Sequence, residues 1–165
     1  MDVFCLAERL MRMDDDAWER HANPLSVWSR VAALPVLVLA IWSRVWLGWW
    51  CLLPITAIIL FTYFNPRLFD PPTRRDSWAA RATYGERLFL ARRQRAISSE
   101  HARAALILTA VSAAGLAPLA YGLIALEIWP TLLGLVLVMG GKLWFCDRMV
   151  WLYEKSQPGG NPPAR

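Results

Sequence analysis

The chain has 165 residues, of which 56% are hydrophobic and 19% charged, with a formal net charge of +5. Ordinary soluble domains run at about 45–50% apolar and about 25% charged, so this balance excludes intrinsic disorder, and a charge of +5 does not by itself define a nucleic-acid-binding protein. Ten tryptophans point instead to an apolar–aqueous boundary, because indole prefers the headgroup level of a bilayer. The expected class is all-α: a polytopic membrane protein with four transmembrane helices arranged as two hairpins, plus a cytoplasmic interfacial helix.

Residues 1–24 read as a polar cytoplasmic tail. They lack the basic start, apolar run and cleavage site of a signal peptide, so insertion is expected to use the internal apolar segments. Cys5 lies in this tail, while Cys51 and Cys146 fall near opposite ends of apolar segments; three cysteines cannot all pair internally, and no disulfide framework follows. A hydrocarbon core of about 30 Å needs about 20 helical residues. Two stretches meet that test without a single charge, Val45 to Phe64 and Ala104 to Leu126. The other two are shorter between charges. A first span has to begin near Leu25 and carry Arg30 inside it, and a fourth has to continue through Lys142 to about Cys146. The expected spans are therefore about 25–43, 45–64, 104–126 and 128–146, forming a membrane domain over 25–146. Trp42-Ser43-Arg44 makes a tight turn in the first hairpin, and 122–129 makes the second.

Between the hairpins lies a polar segment, 65–103, with nine arginines, against which the opposite turns carry only Arg44 and Glu127. Basic residues in short loops mark the cytoplasmic side. This segment and both termini are thus expected inside a plasma (inner) membrane that the chain crosses several times, with residues 147–165 a tail that is disordered at its end. Within the segment Pro71-Pro72 stops a helix and Asp76 is placed to cap a new one. Trp78, Ala82, Gly85 and Phe89 recur at helical spacing among Arg74, Arg75, Arg81, Arg87, Arg92, Arg93 and Arg95. That pattern fits an amphipathic helix on the inner leaflet whose arginines meet anionic headgroups. The plain alternative is a solvated basic loop, which Gly85 favours. No nucleic-acid partner is called for, since the arginines sit where the positive-inside bias already puts them.

In lipid, helices associate by close packing at small residues. Ala105, Thr109, Ala113 and Ala117 form one such stripe and Gly134 with Gly141 another, so the last two spans are expected to pack together; a homo-oligomer contact uses the same surfaces. Pro35, Pro54 and Pro118 fall inside spans, where they kink a helix or free a carbonyl.

An ionisable side chain inside the membrane is costly and is a functional hypothesis by default; Arg30 and Lys142 are the two, with snorkelling to the interface as the plain alternative. More polar residues gather at the same level. The expected ligand-binding set is Asn23, Arg30, Asn65, Arg67, Lys142 and Arg148, and the candidate catalytic set is His21, His101, Glu86 and Asp147, with His101 as a base oriented by Glu86 or Asp147. Two histidines with Glu19, Glu86, Glu100 or Asp147 offer donors for iron or zinc. No His-x-x-x-His or Glu-x-x-His spacing occurs, so metal and cofactor stay unassigned. Cys146 reads as a small buried residue rather than a nucleophile. These groups predict a polar, net-basic pocket at the cytoplasmic leaflet for membrane lipids with anionic headgroups, a carboxylate, or a quinone-like ring held by Trp and Arg. The alternatives are an oligomeric transporter or channel, and a structural membrane subunit without a site.

The run Trp18-Glu19-Arg20-His21-Ala22-Asn23-Pro24-Leu25-Ser26-Val27-Trp28-Ser29-Arg30 resembles the opening of a family of small prokaryotic membrane proteins classed as a domain of unknown function. Asn65-Pro66-Arg67, Pro71-Pro72, Gly85-Glu86-Arg87 and the run from Lys142 to Tyr153 extend the resemblance over roughly Ala17 to Glu154. It implies a compact membrane protein whose signature residues concentrate at the cytoplasmic helix ends, and it assigns no catalytic residue.

Overall fold

A computed structural model describes residues 15–91 and 97–157. Cys5, Arg92, Arg93 and Arg95, with the rest of 1–14, 92–96 and 158–165, lie outside the described residues. The described chain is helical: α1 Asp15–His21, α2 Pro24–Trp42, α3 Arg44–Leu47 followed by a 3-10 turn Gly48–Cys51, α4 Leu52–Leu68, α5 Trp78–Leu90, α6 Ser99–Ala125 and α7 Ile128–Ser156. No strand occurs among the described residues.

Three stretches are long and apolar enough to cross a membrane: Pro24–Leu68, Ser99–Ala125 and Ile128–Ser156. The first is folded back on itself. Ser26 donates a 2.7 Å hydrogen bond to Asn65 Oδ1 although the two are 39 residues apart, a separation that a straight helix would stretch to about 58 Å. So α2 and α4 run antiparallel, and the reversal lies in 43–51. The reversal is longer than the three-residue turn expected. Gly48 takes φ +53, a conformation that a Cβ disfavours, and Trp46, Trp49 and Trp50 stand exposed around it. As a result the second apolar helix starts at Leu52 rather than 45 and runs on to Leu68, which puts Pro54 harmlessly in its first turn and Pro66 inside it.

The second hairpin is α6 against α7. At the turn Leu126 adopts the left-handed cap, and Glu127 N–H returns to Gly122 O at 2.9 Å. The seam between the two helices follows Ala105, Leu108, Gly115, Leu119 and Gly122, all buried, with Gly134 and Gly141 opposite. A Cβ on Gly115 would meet Leu137 Cβ at 2.7 Å, and one on Gly141 would meet Ser112 Oγ at 2.3 Å. This corrects the predicted stripe. Ala113 and Ala117 are exposed, because a strict four-residue repeat advances about 40° per step on a 3.6-residue helix and drifts off the contact. Alternating steps of three and four keep the seam straight.

Helix α5 packs its small face on α7. Gly85 is the closest point: a Cβ there would sit 1.9 Å from Met149 O. The glycine that suggested a loop is therefore what lets two backbones touch. Ser77 rather than Asp76 caps this helix, accepting from Ala80 N–H at 3.2 Å, while Asp76 pairs with Arg74 at 3.1 Å. The arginines of this region also find partners within the chain: Arg75 with Glu19 at 3.2 Å, Arg81 with Glu154 at 2.8 Å, and Arg87 with Asp15. The buried cluster Phe89, Ala105, Leu108, Phe145 and Met149 sits at this junction of α5, α6 and α7, with the Phe89 and Phe145 rings edge to face at 6.0 Å. Helix α7 does not stop near Cys146 but continues ten residues further, to Ser156, because its last turns carry the α5 contact. Thus 147–156 is helix rather than tail.

Across the middle of the molecule the apolar side chains point outward. In the most apolar window of each candidate span no more than 22% of residues are buried. The two hairpins are joined at their turns by Arg44, whose Nη2 donates to Leu123 O at 2.6 Å and Ile124 O at 2.7 Å, satisfying carbonyls that the end of α6 leaves open. Trp42, Trp46, Trp49, Trp50 and Trp129 lie at this end, and Trp18, Trp28, Trp78, Trp144 and Trp151 toward the other.

The glycine seam sets a test. Gly134→Ala places a Cβ 2.3 Å from Leu119 N and should cost about 1–3 kcal/mol by chemical unfolding in detergent. Gly140→Ala, next to Gly141 but turned about 100° away from its contact face and with nothing within 4 Å of its Cβ, should leave the midpoint unchanged.

Candidate functional site

At the end opposite Arg44, helices α1, α2, α5 and α7 enclose a cavity of about 430 Å³. Four of the ten predicted site residues line it: His21, Arg30, Glu86 and Lys142. Each is delivered by a local feature of the sequence. Asn23 stops α1 and starts α2: its Oδ1 accepts from Leu25 N–H at 2.9 Å and its Nδ2 donates to Asp70 O at 2.9 Å. That cap, with proline at the first helical position, fixes where α2 begins. Arg30 then falls two turns in and reaches back, Nε donating to Ser26 O at 3.0 Å and Nη2 to His21 O at 3.3 Å. Its Nη1 meets the His21 ring, 2.7 Å from Nε2 and in contact with Nδ1.

Burial first, and then the positive charges of Arg30 and Lys142, hold the His21 imidazole well below its usual 6.5. A neutral ring can accept from the guanidinium, which an imidazolium cannot. Trp18, three residues earlier and on the same face, sets its ring edge-on to His21 at 5.5 Å.

On the facing wall Lys142 Nζ lies 2.9 Å from Glu86 Oε1, the Lys142 side chain being 55% exposed and the Glu86 side chain 20%. The ammonium also lies 4.7 Å from the Phe145 ring centroid. Glu86 reaches this position because its neighbour Gly85 brings α5 against Met149. One helical turn deeper the wall is apolar, formed by Leu34 below Arg30 and by Val138 and Met139 below Lys142, with Thr62 of α4 beside them. Trp78 stacks on Trp28 at 5.6 Å and 22°, closing the side between α2 and α5. Tyr84, on α5, donates to Glu19 Oε2 at 2.8 Å; burial and that bond push its hydroxyl up to about 12, so it remains a donor tying α5 to α1.

The remaining predicted residues lie elsewhere. Asn65 is wholly buried and ties the first hairpin, accepting from Ser26 and donating to Ser29 Oγ at 2.8 Å. Arg67 stacks over Tyr63 at 5.9 Å and Arg148 over Trp151 at 4.7 Å. Asp147 accepts a long 3.4 Å bond from Trp78 Nε1. His101 is buried near the start of α6, and its Nε2 has no hydrogen-bond partner. The proposed pairing of His101 with Glu86 or Asp147 is therefore not formed. Among the described residues no group of three or more His, Cys, Asp or Glu is placed to hold a metal ion. Sequence reasoning missed the part of Trp18, Thr62 and Met139; only Trp18 left a signal, its three-residue spacing from His21.

The fold and cavity define a small all-helical protein whose apolar helices suit a membrane. The family description "Family of unknown function (DUF6653)" matches residues 6–164, and the chain belongs to that family. No curated protein and no solved structure matches it.

A histidine held below its unfolded pKa binds fewer protons folded than unfolded, so its contribution to stability is complete above about pH 6.5 and declines as pH falls below that value. The unfolding midpoint in detergent should therefore drop between pH 7.5 and 5, and His21→Gln should flatten that part of the profile.

Proposed function

We propose that the chain is a four-span membrane protein whose cavity binds the anionic group of an amphiphile at the cytoplasmic leaflet. The carrying observation is Arg30: it is drawn into a mostly apolar enclosure, yet among the described residues its hydrogen bonds go only to neutral acceptors, Ser26 O, His21 O and the His21 ring. A guanidinium withdrawn from water is costly without a hydrogen-bonded counter-charge, and the Glu86 carboxylate of the same cavity is bonded to Lys142 instead. A carboxylate or phosphate oxygen entering the cavity supplies that counter-charge, and the planar guanidinium suits it. The apolar wall one turn deeper suits the chain attached to it.

The four-span arrangement is supported by the antiparallel α2–α4 pair and by the two tryptophan groups. Along α7, Trp129 lies about 22 Å from Trp144 and about 33 Å from Trp151 at ~1.5 Å per residue, which brackets a hydrocarbon core of ~30 Å. The orientation follows from basic residues: Arg20, Arg67, Arg74, Arg75, Arg81 and Arg87 lie at the cavity end, and Arg44 alone at the turns. The positive-inside bias counts Lys and Arg rather than net charge, so the ion pairs of α5 do not weaken it. Binding rather than catalysis is the reading, since His101 and Asp147 stay outside the cavity that His21 and Glu86 line.

Two measurements test this. In a cysteine-free background, Leu47→Cys should react with an impermeant reagent added outside intact cells, and Thr73→Cys only after permeabilisation; labelling of both from one side would refute the topology. Lipid extracted from purified protein should contain an anionic amphiphile that Arg30→Gln reduces about tenfold or more, the scale of a lost charge-assisted bond, while Arg67→Gln retains it. Equal retention in all three proteins would overturn the cavity as the binding site.

A further inference from the structure

Glu86 fixes how much positive charge the cavity offers. Among the described residues two cations line it, Arg30 and Lys142, against one carboxylate, and that carboxylate is bonded to Lys142. His21 adds no charge, being held neutral by its burial and by those same cations. Thr62 and Thr83 contribute only hydroxyls, and Asp147 is turned to Trp78 outside the lining. One net positive charge is left in an enclosure walled mainly by aliphatic and aromatic side chains.

In surroundings of low dielectric, residual net charge is expensive, and a ligand that cancels it is favoured over one that leaves or reverses it. A monoanion brings the enclosure to neutrality. A dianion overshoots by one, and a zwitterion carries a cation of its own against Arg30 and Lys142. The geometry agrees with the charge. Lys142 is more than half exposed and can turn to a second acceptor while staying near Glu86, and the planar fork of Arg30 is made for a group that spreads one charge over two oxygens.

Resting on the amphiphile-site reading above, we infer that the cavity selects apolar-chain ligands bearing a single negative charge, and that Glu86 is the residue that sets this selectivity by holding one of the two cations. A fatty carboxylate and a phosphodiester phospholipid share that chemistry. A long-chain phosphate monoester, doubly charged above neutral pH, does not.

The test uses the full chain in detergent at pH 8.5, with retention of oleate, phosphatidylglycerol, oleyl phosphate and phosphatidylcholine measured by native mass spectrometry. Wild type should retain oleate or phosphatidylglycerol about tenfold better than oleyl phosphate and phosphatidylcholine, a difference of about 1.4 kcal/mol. Whichever monoanion is preferred supports the inference and identifies the source. Glu86→Gln raises the cavity by one charge and should shift the ratio of oleyl phosphate to monoanion about tenfold toward the dianion, whereas Glu86→Asp should restore the wild-type ratio. If Glu86→Gln does not fold, Lys142→Gln reads the same rule from the other side: the cavity becomes neutral, and monoanion retention should fall to the phosphatidylcholine level. Anions bound well by wild type, with a mono-to-dianion ratio that neither variant moves by twofold, would overturn the selectivity while leaving the binding site standing. Retention of no anion by wild type would overturn both.

Discussion

The long helices of this chain turn their apolar side chains outward, so expelling water from between them cannot be what holds them together. What remains is contact at short range, which is the regime in which membrane helices associate. The seam of α6 and α7 closes on Gly115, Gly122, Gly134 and Gly141, and α5 reaches α7 through Gly85. The first hairpin uses hydrogen bonds instead, with buried Ser26 and Asn65 and half-buried Ser29 forming one polar cluster. In an apolar setting such a cluster is stable only when its members satisfy one another, which makes it a register pin as well as a bond. Arg44, bonded to the open carbonyls of α6, fastens the two hairpins at the far end.

These contacts leave a cavity at one end. There α1 and α5 bridge the hairpins, tied down by Tyr84 on Glu19, by the Arg75, Arg81 and Arg87 ion pairs, and by the stack of Trp78 on Trp28. Exposed ion pairs of this kind contribute at most about 1 kcal/mol each, so the roof is held more by Gly85 and the Phe89 cluster than by its charges. Beneath it Arg30 and the Lys142–Glu86 pair face an apolar wall. Such an assembly of charge and hydrocarbon in one small space is the basis of the proposal that the cavity binds an amphiphile.

The quoted motifs acquire separate physical jobs once folded. Within the run from Trp18 to Arg30, Asn23 is a helix cap, Ser26 and Ser29 are hairpin pins, and only Trp18, His21, Val27 and Arg30 turn to the cavity. In Gly85-Glu86-Arg87 the first residue permits contact with α7, the second meets Lys142, and the third reaches Asp15 on α1. Residues gathered at one level of the chain thus divide into those that hold the end together and those that line its cavity.

Composition and the spacing of charges were enough to give an all-helical chain with apolar helices, the placement of its polar groups at one end, and the presence of Arg30 and Lys142 inside two of those helices, because each follows from the length of an uncharged run and the ions that bound or interrupt it. They could not say which polar residues meet. That depends on the rotation of each helix about its axis, and a change of one residue in the contact turns a side chain by about 100°. Gly85 and the three-and-four stepping of the α6 seam set those rotations, bringing Glu86 to Lys142 while leaving His101 and Asp147 apart. The extent of α7 was hidden for the same reason: no stop signal marks 146, and only the partner helix shows why the turns beyond it persist.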